Sequence, residues 1–166
     1  MTIRIILDTN IYGKIVDDRL EEKAIERIDI HKHDLTVYGI KVIRNEIKAA
    51  PKHSKDGYDL RSALLKLYDA IVKDHELQLK PLAYTLASLY YKKYRQNGGS
   101  VSWRKIENDM IIVAEATMNR LDIVASEDNK TMLSKAAKNA YYIVNKEHNL
   151  ITPNFISYSE FKKKLF

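Results

Sequence analysis

The chain has 166 residues, 45% hydrophobic and 30% charged, with a formal net charge of +6. That length suits one domain, 1–166, with a substantial core, and no stretch approaches the roughly 20 apolar residues of a membrane span. Cysteine is absent, which excludes disulfides and thiolate metal sites, and the short apolar N-terminal run ends in an acid rather than forming a signal peptide, so a cytoplasmic location is expected.

Strand and helix patterns alternate along the chain, the mark of an α/β domain. Ile3-Arg4-Ile5-Ile6-Leu7, rich in β-branched residues and ended by Asp8, reads as a buried parallel strand. Helical stretches follow over Ile11 to Val16 and Leu20 to about His31. Asp34 to Tyr38 reads as a second strand, with Gly39 turning into a helix that carries Glu46 and Pro51 marking its end. Between Pro51 and Ser100 the pattern gives two long helices and no strand. Their apolar stripes are Leu60, Leu64, Tyr68, Ile71 and then Leu82, Leu86, Leu89, Tyr90, with Pro81 at the start of the second. This helical pair either caps the sheet or docks a second copy of the chain. Asn97-Gly98-Gly99-Ser100 ends it. An amphipathic helix then runs from Trp103 to about Arg120, followed by a strand near Asp122 to Ser126 and a helix from about Thr131 to Asn145. Leu150-Ile151-Thr152 reads as a last short strand stopped by Pro153, and Ser159-Glu160-Phe161 as the start of a closing helix.

Asp8, Glu46, Asp109 and Asp128 fall where these patterns call for neutral residues. Asp8 and Asp128 follow apolar strands, Glu46 lies on a stripe with Val42, Ile43, Ile47 and Ala50, and Asp109 shares a face with Ile106 and Val113. An unpaired buried carboxylate costs several kcal/mol or takes up a proton. A divalent cation held among all of them removes that cost, and oxygen-only donors favour magnesium or manganese. Carboxyl ends of parallel strands are where such sheets take ligands. A hard-cation site there suits phosphodiester hydrolysis, and the positive charge elsewhere suits a polyanionic substrate. The five histidines show no zinc-ligand spacing. Asn10 and Ser126 read equally as hydrogen-bonding partners of the acids and as turn residues. Tyr90-Tyr91-Lys92-Lys93-Tyr94-Arg95 reads either as a helix end with its tyrosines inward or as a nucleic-acid contact.

Leu7-Asp8-Thr9-Asn10, the Glu46 helix, Asn108-Asp109-Met110-Ile111-Ile112-Val113-Ala114-Glu115-Ala116 and Ile123-Val124-Ala125-Ser126-Glu127-Asp128 resemble, in order, the four motifs of PIN-domain nucleases. Ile151-Thr152-Pro153-Asn154-Phe155, with Glu160-Phe161 beyond, resembles the usual end of that domain, so the likeness spans nearly the whole chain. It implies a single PIN-like domain: a central parallel sheet of four or five short strands flanked by helices, with the helical pair between the second and third motifs. It implies a magnesium- or manganese-dependent nuclease acting on single-stranded RNA. In small prokaryotic members this is usually a toxin of the VapC type, neutralised by an antitoxin protein and often paired as a homodimer. Carried over, Asp8, Glu46, Asp109 and Asp128 are the catalytic, metal-binding acids, with Asn10 and Ser126 in support.

Three other readings compete. One is an RNA-processing nuclease of the same family that is not a toxin. Another is a non-catalytic RNA- or protein-binding module, against which the retention of all four acids speaks. The third is a phosphatase of the haloacid-dehalogenase type, which needs a second Asp two residues after Asp8, where Asn10 stands.

Overall fold

Strands buried on both faces need uninterrupted apolar side chains, and the first strand meets that need from Ile5 onward, past Arg4. In the computed structural model, which describes residues 1–166, β1 spans Ile3–Leu7 and its last three residues are fully buried. The chain continues through α1 (Thr9–Asp17), α2 (Glu21–Ile30), β2 (Leu35–Ile40), α3 (Lys41–Lys48), α4 (Leu60–Val72) and β3 (Glu76–Leu77). It then forms α5 (Pro81–Gln96), α6 (Trp103–Met118), β4 (Ile123–Ala125), α7 (Lys135–Glu147), β5 (Asn154–Ile156) and α8 (Tyr158–Leu165). All strands pair in parallel in the order β3-β2-β1-β4-β5. This is a single α/β domain.

The topology fixes where a site can form. From β1 the chain steps outward through β2 to β3, then crosses back to β4 and on to β5. Strand order therefore reverses between β1 and β4, and the carboxyl ends at such a reversal are where sheets of this kind take their ligands. Right-handed crossovers in opposite directions put their helices on opposite faces. The packing agrees, since α4 rests on α1, α2 and α3 whereas α5 rests on α6 and α7. The two helices between the second and third motifs thus serve different neighbours.

Several expectations shift in detail. The segment between Pro51 and Ser100 does hold a strand, the two-residue β3, which bonds to Gly39 and Ile40 at the end of β2. Gly39 accordingly lies inside β2 rather than in a turn, and it must be glycine because a Cβ there would run into the Tyr68 ring and stand 2.9 Å from Val72 Cγ1. Leu82 is 64% exposed, and Ala83 takes the buried place on α5. Tyr90 and Tyr94 point inward while Lys92 and Arg95 face solvent. The last strand begins after Pro153, not before it, because Asn154 supplies the N–H that bonds to Asp122 O at 2.9 Å and proline has none to give. Ser157, not Ser159, caps α8, through a reciprocal box with Glu160.

Candidate functional site

Asp8 is placed by the switch from strand to helix. Its N–H donates to Ala125 O at 2.9 Å, holding the end of β1 to the end of β4. Its side chain caps α1 by accepting from Thr9 N at 2.8 Å. The other carboxylate oxygen accepts from Asn10 Nδ2 at 2.8 Å and from Ser126 Oγ at 2.7 Å. One side chain thus both caps α1 and stands among the acids.

Asn10 and Ser126 both support the acids. Asn10 Oδ1 accepts from Glu127 N at 3.0 Å, which ties α1 to the loop after β4. Ser126, fully buried, also accepts from Asp128 N at 3.1 Å. Asp128 Oδ1 accepts from Lys130 N at 3.1 Å and Thr131 N at 2.9 Å, folding residues 129–133 into a tight turn. Glu127 is half-buried and accepts from Tyr158 N at 2.5 Å, at the first turn of α8.

Glu46 and Asp109 come from the helices. Glu46 accepts from Asn108 Nδ2 at 2.8 Å and from the Thr9 hydroxyl, so α3 is joined to both α6 and α1. Arg44 does not reach it and pairs with Asp69 at 3.2 Å. Asp109 Oδ2 accepts from Thr131 Oγ1 at 2.5 Å, and that same hydroxyl also bonds Asp128 Oδ2. One hydroxyl proton cannot serve two ionised carboxylates. Thr9, Asn108 and Thr131 went unmarked in the sequence because a neutral polar residue breaks no apolar pattern. Thr9 and Asn108 are signalled only by adjacency to Asp8 and Asp109, and Thr131, three residues past Asp128, by nothing local.

The four acids feel one another's charge. Burial pushes Asp109 up to about 7, with Asp8, Asp128 and Glu46 adding to it against the Thr131 hydrogen bond. Burial likewise pushes Asp8 up to about 6, opposed by Ser126 and reinforced by Glu46 and Asp128. No lysine, arginine or histidine forms an ion pair with any of the four. By donor chemistry the group fits a hard divalent cation: anionic, oxygen-only and without a competing side-chain cation. No three acidic or imidazole side chains close around one point, however. The hydroxyls and amides of Thr9, Asn10, Asn108, Ser126 and Thr131 stand between or beside the carboxylates and take up their lone pairs.

Glu115 is a fully buried acid outside this group, and its role is structural. It accepts from Lys80 N at 2.9 Å and Asn119 Nδ2 at 3.0 Å, fixing the start of α5 to α6.

No family model matches the sequence, and no curated protein does either. The fold does match solved structures. VapBC2 from Rickettsia felis, bound to a DNA fragment from its promoter, aligns over 93% of this chain and 98% of its own, with TM-score 0.61 and 10% identity. DNA-bound VapBC from Salmonella typhimurium aligns over 95% and 99%, with TM-score 0.60 and 11% identity. VapBC-1 from nontypeable Haemophilus influenzae aligns over the same shares, with TM-score 0.59 and 15% identity. The chain has a PIN-like fold of the VapC type. At these identities the likeness is one of fold.

Proposed function

We propose that this protein is a magnesium- or manganese-dependent nuclease that hydrolyses phosphodiester bonds in single-stranded RNA. The observation that carries the reading is that Asp8, Glu46, Asp109 and Asp128 lie within range of one another's charge near the reversal point of the sheet, with no side-chain cation paired to any of them. Asp8, Asp109 and Asp128 would hold the ion, with Glu46 beside them. A bound divalent ion supplies an activated water and charge stabilisation at phosphorus. The chain's own residues do the rest. Ser126 and Asn10 orient Asp8 by donating to one of its oxygens, and Thr131 sets the spacing of Asp109 and Asp128. Glu46, half-buried and held by Asn108 and Thr9, would help to hold the ion or its nucleophilic water.

The proposal extends to a toxin neutralised by an antitoxin protein, supported by the fold's likeness to three VapBC pairs and to FitAB bound to a DNA fragment. No helix is long and apolar enough to cross a membrane. The test is cleavage of end-labelled single-stranded RNA with manganese or magnesium. Wild type is expected to cleave and to stop when chelator is added. Asp8→Asn and Asp109→Asn, shown folded by circular dichroism, are expected to lose about a hundredfold or more of the rate. Cleavage by either variant at the wild-type rate overturns the reading.

A further inference from the structure

The sheet has an open margin at β5. Asn154 N–H donates to Asp122 O at 2.9 Å, and Ile156 O accepts from Ser126 N at 3.0 Å, so both residues spend their backbone groups on the β4 side. Backbone groups alternate in direction along a strand. The N–H and C=O of Phe155 between them therefore point away from the sheet. On either side of it Pro153 has no N–H and the Ser157 N–H is spent on Glu160 Oε2 at 2.8 Å, so Phe155 is the one residue of this margin that offers both backbone groups to another strand.

A cleft of about 680 Å³ runs along this margin, between α7 and residues 150–155. Its walls carry Lys138 and Lys146 and no acid. Its apolar surface is unusually open, with Tyr142 59% and Ile151 82% exposed. Lys146 Nζ stands 5.9 Å from the centre of the Tyr142 ring, which lays a positive charge beside an apolar shelf.

We infer that the β5 edge and this cleft form a docking surface for an extended, acidic segment of a partner protein, which adds to the sheet as a sixth strand beside Phe155. Main-chain hydrogen bonds to Phe155 would supply register, Tyr142 and Ile151 would cover alternate side chains, and the two lysines would select for acids. Charge decides against a second copy of this chain as occupant. Self-pairing would set Lys138 and Lys146 against their own counterparts in a protein of net charge +6. Neither Asp8, Glu46, Asp109 nor Asp128 lines the cleft, so this surface and the proposed nuclease site stand or fall separately.

The probe is a fluorescein-labelled peptide of alternating glutamate and valine, about eight residues long, the reach of an ordinary strand. Wild-type protein is expected to bind it by fluorescence anisotropy, and peptide binding is expected to slow hydrogen exchange at the Phe155 amide. Lys138→Glu combined with Lys146→Glu, both exposed and outside the core, is expected to weaken binding about tenfold or more. N-methylation of every second peptide bond is expected to abolish binding in one register and spare it in the other, which simple charge attraction cannot reproduce. Absent binding to wild type, or equal binding of both N-methylated registers, overturns the inference. So does burial of this face in a homodimer, or preferential binding of a single-stranded oligonucleotide there.

Discussion

Metal-free protein is predicted to lose stability as the pH rises from acid toward neutral, the reverse of ordinary acid denaturation, over the range governed by Asp8 and Asp109. Burial is the largest cause in both cases, holding Asp109 at about 7 and Asp8 at about 6 against an ordinary value of 3.8. The unfolded chain releases these protons near the ordinary value while the folded protein keeps them. Their stabilisation is thus complete below about pH 4 and disappears as the pH climbs through about 6 and then about 7. At about 1.4 kcal/mol for each pH unit separating the two values, Asp109 accounts for roughly 4 kcal/mol and Asp8 for roughly 3, as upper bounds. Urea unfolding followed by circular dichroism, in chelator, at about pH 5 and about pH 8 measures the difference. Asp109→Asn has no proton to lose and should be relatively favoured at the higher pH by up to about 2.6 kcal/mol, the part of Asp109's contribution that falls between about pH 5 and about pH 8. Saturating manganese should return the wild type's lost stability at the higher pH, because it binds the ionised acids. If wild type and Asp109→Asn show the same dependence on pH, the acid at 109 is not desolvated by its neighbours and the electrostatic argument fails.

Two further substitutions probe the packing that holds the site. The Tyr12 hydroxyl is buried without a hydrogen-bond partner, its ring 5.5 Å from that of Tyr68. Tyr12→Phe should be neutral or raise stability by about 1 kcal/mol in urea unfolding, and a loss greater than that would reveal a partner for the hydroxyl. Gly39→Ala should cost roughly 1 to 3 kcal/mol, since its methyl would press on the Tyr68 ring and on Val72 at the junction of β2 and α4. An unchanged melting temperature would mean that α4 can retreat without cost.

Much of this arrangement was legible from apolar pattern. β1 stood out because five residues without a turn former end abruptly in Asp8, and Glu46 because the period of α3 placed it between Ile43 and Ile47. The same logic missed β3, where two residues next to Gly39 are too few for any period to show. It misplaced β5 because Ile151 looks like a strand residue and is in fact 82% exposed, whereas the strand is set by which backbone can donate to Asp122. Leu82 misled in the same way, an apolar residue at a plausible spacing left on the surface while the smaller Ala83 packs. At the site, four acids could be picked out because a charge is conspicuous in an apolar pattern, although only Asp8 is buried and Glu46, Asp109 and Asp128 are half-buried. Thr131, whose hydroxyl joins two of them, could not, since nothing local distinguishes it from any turn threonine.

Titrating manganese into chelator-treated protein by calorimetry, near pH 8 where Asp8 and Asp109 are ionised, asks whether the gathered acids act as one cation site. Wild type should bind with release of heat or uptake that saturates, and Asp8→Asn, Asp109→Asn and Asp128→Asn should each lose that binding while remaining folded. Binding that persists unchanged in all three variants would mean that the ion, wherever it sits, is not held by the carboxylates at the junction of β1 and β4.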